Sequence, residues 1–318
     1  MLLRLGTRGS QLAQWQARWV AEKLHALGVE VQLVPVKTRG DTDQRGSVAK
    51  LGGSGVFTKE IQQAVLEGSV DLAVHSLKDL PTTPVAGLRL AAVPPRGPVA
   101  DVVVSRSGLP LQALPLRSTV GTGSFRRRAQ LLYLFPHLVP KEIRGNVDTR
   151  LRKLEQGQYD AILLAEAGME RLGLSGRITE RLGGAFFLPA PGQGALAVEI
   201  RQDDPAISAV VSRLNDYESR AAVEAERFLL VALGGGCLAP IAALAVPRGD
   251  RLILAGRVLS ADGRRRIDVT LSGPISAAEE LGRRVAAALK EQGAEELIAA
   301  SRTFQVDSVV GSDPSTNE

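Results

Sequence analysis

LLRLGTRGSQLAQWQARWVAEKLHALGVEVQLVPV, residues 2–36, decides the fold class. Its opening LLRLGT reads as a strand, and Ser10 is the N-cap of a helix that repeats Leu12, Trp15, Trp19, Val20, Leu24 and Leu27 at helical spacing. Gly28 stops that helix, and VEVQLVPV follows as a second strand. Farther on, TKEIQQAVLEG predicts a helix opened by Thr58, and VDLAVHS a third strand. The order β-α-β-α-β predicts a mainly parallel sheet with helices on its faces.

Pro81, Pro84, Pro94, Pro95 and Pro98 then cluster before the strand DVVVS and mark a junction. A second α/β series follows: STVGT, KEIRG and DAILLA as strands, SFRRRAQLLYLF and VDTRLRKLEQG as helices. FLPAPGQGALAVEIR, residues 187–201, reads as a segment crossing back toward the first sheet. Two lobes joined by two crossings enclose a hinged cleft, a favoured place for small-molecule sites. Beyond a helical stretch near 217–233 come IAALAVP, RLILAGRVLS and RRIDVTLS, then helices near 276–291 and 293–300, an α+β pattern. The expected units are 1–97 with 195–214, 98–194, and 215–310, with a frayed tail at 311–318. No internal sequence repeat is visible.

At about 150 residues per domain, 318 residues make two or three domains. Hydrophobic residues are 44% and charged residues 23%, and no apolar run reaches the roughly 20 residues of a membrane span. The N-terminus carries charge and glycine where an export signal has an apolar core, so the cytoplasm is the expected location. One cysteine, Cys237, excludes an internal disulfide and a thiolate metal cluster. Residues 1–190 hold 25 Lys/Arg against 16 Asp/Glu, or +9, and the remainder 14 against 18, or −4. The positive field of the first part calls for an anionic partner. With 12 aromatic residues in all and no nucleic-acid motif, a base-stacking platform is not evident.

Several strand ends carry chemistry. In VGTGSFRRR, residues 120–128, Arg126, Arg127 and Arg128 open a helix, where cations oppose the helix dipole unless an anion meets them. A carboxylate or phosphate site is preferred over a solvated basic turn, and the arginine fork suits carboxylates. IRGNVDTRLRKL repeats the theme with Arg144, Arg150 and Arg152, and Arg171 follows DAILLA. In the first lobe, GTRGS brings Arg8 and Ser10, and HSLKDLP brings His75, Ser76, Lys78 and Asp79, to strand ends that face a ligand in open α/β sheets. Asp79 among cations would stay ionised and could stabilise a cationic intermediate or take part in proton transfer; a helix cap or an ion pair is the alternative. His75 is read as a core histidine, with no metal-ligand spacing nearby. LGGSGVFTKE lacks the order of a phosphate loop; the polar stretch 41–55, with Lys50, fits a flap over the cleft. In ALGGGCLAP three glycines precede Cys237, more turn than a buried cysteine needs.

GTRGSQLA, VKTRGD, GVFTKE, AVHSLKDLPT, VGTGSFRR, IRGNVDTRL, AILLAEAGMERLG, LPAPGQGA and GGGCLAP, in this order along nearly the whole chain, resemble the porphobilinogen deaminase (hydroxymethylbilane synthase) family. The resemblance implies two periplasmic-binding-protein-like α/β lobes with a smaller C-terminal domain. It implies a transferase of tetrapyrrole biosynthesis that condenses four porphobilinogen molecules and releases hydroxymethylbilane and ammonia. A dipyrromethane cofactor would hang from Cys237 by a thioether, and Asp79 would stabilise positive charge on the pyrroles. Cofactor contacts fall on Lys78, Asp79, Thr122, Ser124, Arg126, Arg127 and Arg144. Substrate contacts fall on Arg8, Ser10, Lys50, Arg144, Arg150 and Arg171, with no metal. The family implies a cytoplasmic monomer whose partners are pyrroles, not nucleic acid or membrane. Ser54 stands where some members have lysine, and Gly123 where others have serine, so one cation and one hydroxyl are missing. A non-catalytic solute-binding protein also fits two hinged lobes, but the missing signal peptide and the GGGC segment weigh against it. Nucleic-acid binding through the basic lobe is a second rival, expected to show strong salt dependence.

Overall fold

The computed structural model describes residues 1–38, 58–235 and 239–301. The first sheet consists of β1 (Leu2–Thr7), β2 (Glu30–Pro35), β3 (Leu72–Ser76), β4 (Leu88–Ala92) and β10 (Leu196–Arg201), in the order β2-β1-β3-β10-β4. Helices α1 (Gln11–His25) and α2 (Lys59–Leu66) connect its early strands. Ser10 does cap α1, its hydroxyl accepting from the Ala13 N–H at 3.3 Å. The helix lays Ala17, Val20 and Leu24 against Leu3, Leu5 and Leu72, which explains the spacing of its apolar residues.

The second sheet runs β7-β6-β8-β5-β9, from β5 (Asp101–Ser105), β6 (Thr119–Gly121), β7 (Val139–Lys141), β8 (Ala161–Ala165) and β9 (Glu180–Leu182). It holds α3 (Phe125–Leu134), α4 (Val147–Glu155) and α5 (Glu166–Arg171). The strand expected over KEIRG ends at Lys141; Ile143 turns into the core and Gly145 takes φ 109°, which leaves Arg144 on a loop.

Neither sheet is mainly parallel. In each, two strand pairings are parallel and two antiparallel. The antiparallel strand is in both cases the one that has just arrived from the other lobe. β10 inserts between β3 and β4, and β5 between β8 and β9. A strand entering from a crossing runs opposite to strands built through local β-α-β connections, so the topology itself reverses it.

After α6 (Pro205–Val211), the C-terminal unit stacks α7 (Tyr217–Ala232) and α8 (Ala278–Glu291) on an antiparallel sheet of β11 (Ile241–Arg248), β12 (Arg251–Leu259) and β13 (Arg266–Pro274). Residues 294–301 form a further helical segment. The core of this unit includes Leu229, Leu252, Leu254, Leu281, Val285 and Leu289. No helix among the described residues is long and apolar enough to cross a membrane.

Candidate functional site

At the end of β3 the chain makes one 3₁₀ turn, Leu77–Asp79. Leu77 and Leu80 are buried on either side of Lys78 and Asp79, so the apolar pair pins the turn; Asp79 faces outward, and Lys78 is partly buried. The Leu77 N–H donates to Ala195 O at 3.0 Å, and a Cβ on Gly192 would sit 3.2 Å from Leu77 and 3.3 Å from the Lys78 nitrogen. Gly192, at φ 75°, therefore lets the second crossing press on the turn. The Asp79 carboxylate is exposed and makes no hydrogen bond or ion pair with the described residues. The expected alternatives, a helix cap or an ion pair, are thus not what occupies it. His75 is a core residue, its Nε2 3.0 Å from Glu199 Oε2.

Across the cleft, α3 begins at the Ser124 cap, whose hydroxyl accepts from the Arg127 N–H at 3.4 Å; Thr122 Oγ1 accepts from the Ser124 N–H at 3.2 Å. Both hydroxyls thus shape the turn that presents the arginines. The anion demanded by arginines in a first helical turn is supplied from within the protein. Asp101, fully buried at the start of β5, accepts from Arg126 Nη1 at 2.6 Å and from Arg127 Nε and Nη2 at 2.9 and 2.7 Å. Burial opposes the Asp101 charge, but Arg126 and Arg127 outweigh it and hold the carboxyl far below its usual range. Gln193 on the second crossing also donates to Asp101, at 2.9 Å, and its Oε1 accepts from Lys78 Nζ at 3.3 Å. Asp101 carries one negative charge against two arginines, so the group stays net positive.

Further cations converge on the same space. Arg150 donates to Gly145 O at 2.8 Å and has no carboxylate partner among the described residues. Burial, then Arg127 and Arg144, push it down to about 10, with Asp79 from the opposite lobe pulling the other way. Burial also lowers Arg171 to about 10; it donates to Gly194 O at 2.6 Å and lies 5.7 Å from the Trp15 ring of the first lobe. Lys78 is pushed down to about 8 by burial and by Arg127, and Asp79 opposes the shift. A small cavity of about 30 Å³ between the lobes is lined by Leu12, Ser76 and Lys78 on one side and Gly168 and Arg171 on the other. Arg144 faces this region from a loop but pairs with Glu142, Nε to Oε1 2.7 Å. Arg8 and Ser10 sit at the end of β1, where Gly9 and Ser10 share a second cavity with Lys37 and, from the other lobe, Asn146.

Lys50 and Ser54 lie outside the described residues, and so does Cys237. Among the described neighbours of Cys237, Gly235 lies close to side chains: a Cβ there would be 2.3 Å from Ile241 Cδ1 and 2.9 Å from Leu230 Cδ1, so those side-chain ends would have to shift to admit it. Gly123 is likewise tight, its added Cβ 3.1 Å from Ile143 O.

The cleft fits a polycarboxylate. Lys78, Arg150 and Arg171 are desolvated and lack carboxylate partners among the described residues; their pKa values are lowered chiefly by burial, to which Arg127 adds at Lys78 and Arg127 and Arg144 add at Arg150, and ligand carboxylates would offset that cost. No group of His, Cys, Asp or Glu able to hold a metal ion occurs among the described residues. Sequence reasoning overlooked Asp101 and Gln193; the only signal was a charged residue opening an apolar strand and a glutamine between two glycines.

Two family models match the chain: "Porphobilinogen deaminase, dipyromethane cofactor binding domain" over residues 3–209 and "Porphobilinogen deaminase, C-terminal domain" over residues 220–291. The chain is 50% identical to a porphobilinogen deaminase of Xanthomonas campestris pv. campestris strain B100 over 299 residues, covering 93% of this chain and 98% of the relative. It is 44% identical over 300 residues to that of Syntrophotalea carbinolica, covering 94% and 95%. It is 45% identical over 298 residues to that of Moorella thermoacetica, covering 93% and 95%.

Proposed function

The chain belongs to the porphobilinogen deaminase family, whose members carry a dipyrromethane-cofactor domain, and from that premise we propose which of its residues carry out the reaction. Cys237 anchors the cofactor by a thioether, and Asp79 is the catalytic carboxylate. When bound, the cofactor would supply a pyrrole α-carbon to which porphobilinogen units are joined, four in all and each losing ammonia, and water would cleave the finished chain from the cofactor as linear hydroxymethylbilane. Arg126, Arg127, Arg144, Lys78, Thr122 and Ser124 hold its carboxylates, directly or by shaping the turn. Arg8, Ser10, Lys50, Arg150 and Arg171 receive the acetate and propionate groups of incoming substrate.

One observation carries this reading: Asp79, an exposed carboxylate with no ion pair among the described residues, lies within electrostatic reach of Lys78 and, from the opposite lobe, of Arg150. Cations bind the acidic substituents and fix the ring. Among the described residues of the cleft, Asp101 is engaged by Arg126 and Arg127, and Asp79 is the carboxylate left to stabilise positive charge that develops on a pyrrole as ammonia leaves. Held in a turn pinned by Leu77 and Leu80, it needs no reorganisation as that charge appears.

The units 1–97 with 195–214, 98–194 and 215–310 are proposed as the domains that move about the cleft. We also assign the protein to the cytoplasm as a monomer that binds no nucleic acid. Intact-mass measurement of the purified protein is the primary test. A covalent two-pyrrole addition that disappears in Cys237→Ala, together with ammonia release on adding porphobilinogen, is expected. An unmodified mass in active protein would exclude Cys237 as the anchor.

A further inference from the structure

The turn Leu77–Asp79 is held on its near side by the bond from the Leu77 N–H to Ala195 O, but its far side is gripped by another domain. Arg227 of α7 donates from Nη1 to Leu80 O at 3.0 Å and from Nη2 to Pro81 O at 2.7 Å, the two carbonyls directly after Asp79. The grip belongs to a continuous stripe. Ser219, Val223 and Arg227 follow one another at four-residue intervals and so share one face of α7. Ser219 Oγ accepts from the Arg96 N–H at 2.9 Å, and Val223 packs in the same core as Leu77 and Leu80. The apolar contact sets the distance between helix and turn, and the guanidinium fork fixes its rotation, because two parallel donors to consecutive carbonyls leave little angular freedom.

We propose that Arg227 is a positioning residue for Asp79: from the C-terminal unit it orients the turn so that the carboxylate points into the cleft. This rests on the assignment of Asp79 above. α7 ends at Ala232, five residues before Cys237 in the sequence, so the element that orients the carboxylate also leads into the segment that carries the proposed anchor.

The test uses full-length Arg227→Gln and Arg227→Lys, with the cofactor adduct verified by intact mass. Arg227→Gln, which loses the charge and the fork, is expected to lower kcat at least tenfold with KM for porphobilinogen within twofold of the parent. Arg227→Lys offers one ammonium to the same carbonyls and is expected to recover part of that loss. A kcat within twofold of the parent in Arg227→Gln, a loss confined to KM, or loss of the adduct overturns the proposal. If Arg227→Gln does not accumulate as folded protein, Arg227→Lys decides: reduced kcat at parental KM supports the grip, and parental kcat overturns it. Asp79→Asn separates the two claims. Near-parental turnover in that variant refutes the role of Asp79, and this proposal with it, whereas a crippled Asp79→Asn beside a parental Arg227→Gln refutes only the positioning.

Discussion

Asp79 and Lys78 are neighbours in sequence with opposite consequences. Asp79→Asn keeps the shape of the side chain and removes its charge; kcat should fall by about 10² or more, read as ammonia released per second at saturating porphobilinogen. Lys78 is lowered to about 8, chiefly by burial, from an unfolded value near 10.5. In the folded state the proton is therefore held less tightly. The charged lysine destabilises the fold fully below about pH 8, and that cost fades as pH rises toward 10.5. Lys78→Met, made in a Cys237→Ala background to remove any covalent anion, should accordingly melt above its parent at pH 7. The advantage should shrink steadily between pH 8 and 10; a constant difference in thermal midpoint would show that Lys78 is not titrating there.

Among the elements, the two crossings matter most. Gly194 takes φ 87°, and a Cβ there would meet Gly97 O at 2.6 Å and Pro98 O at 2.7 Å, so the second crossing lies directly on the first. Gly97 N–H donates to Gly194 O at 3.2 Å, an oxygen shared with Arg171. Gly194→Ala should cost about 1–3 kcal/mol from backbone strain alone, with the backbone clash in addition, measured by urea unfolding. It should also weaken substrate affinity, because Arg171 loses its fixed acceptor. The strands and helices around these crossings were readable from period and caps: Ser10, Gly28 and Thr58 punctuate the early elements where they are observed to change. The mixed direction of the sheets was not readable. Strand periodicity records which face is buried, and it is silent on which neighbour lies alongside.

At the scale of the molecule, Glu226 joins three parts. Fully buried on α7, it accepts from Arg96 Nη1 and Nη2 at 2.7 and 3.0 Å, from the Gly192 N–H at 2.7 Å and from the Ala245 N–H at 2.8 Å. Arg96 lies on the first crossing, Gly192 on the second and Ala245 in the C-terminal sheet. Glu226→Gln leaves a buried arginine without its countercharge and should cost about 3–5 kcal/mol. Because the contact lies between units, calorimetry should show the single transition broadening or splitting, and a simple downward shift would mean that the units are coupled elsewhere. A related weld is Arg257 of β12, which reaches Gln130 of α3 at 3.0 Å and the carbonyls of Phe186 and Ala185. The arginine helix is thereby fixed to the C-terminal unit.

The sequence by itself determined the α/β elements, the ranks of arginine at strand ends and, through motifs spread along nearly the whole chain, the family. Those properties are local: caps, glycine stops, helical spacing and contiguous motifs all lie within a few residues of one another. The tertiary structure alone decided that Asp101 pairs with both Arg126 and Arg127, that Gln193 bridges Lys78 to Asp101, and that Arg227 grips the turn after Asp79. It also revealed two sheets with one strand plan in a chain with no sequence repeat. These contacts join residues 25 to 147 positions apart. Their partners are set by how buried charge must be satisfied once the chain is compact, and no spacing along the sequence encodes that requirement.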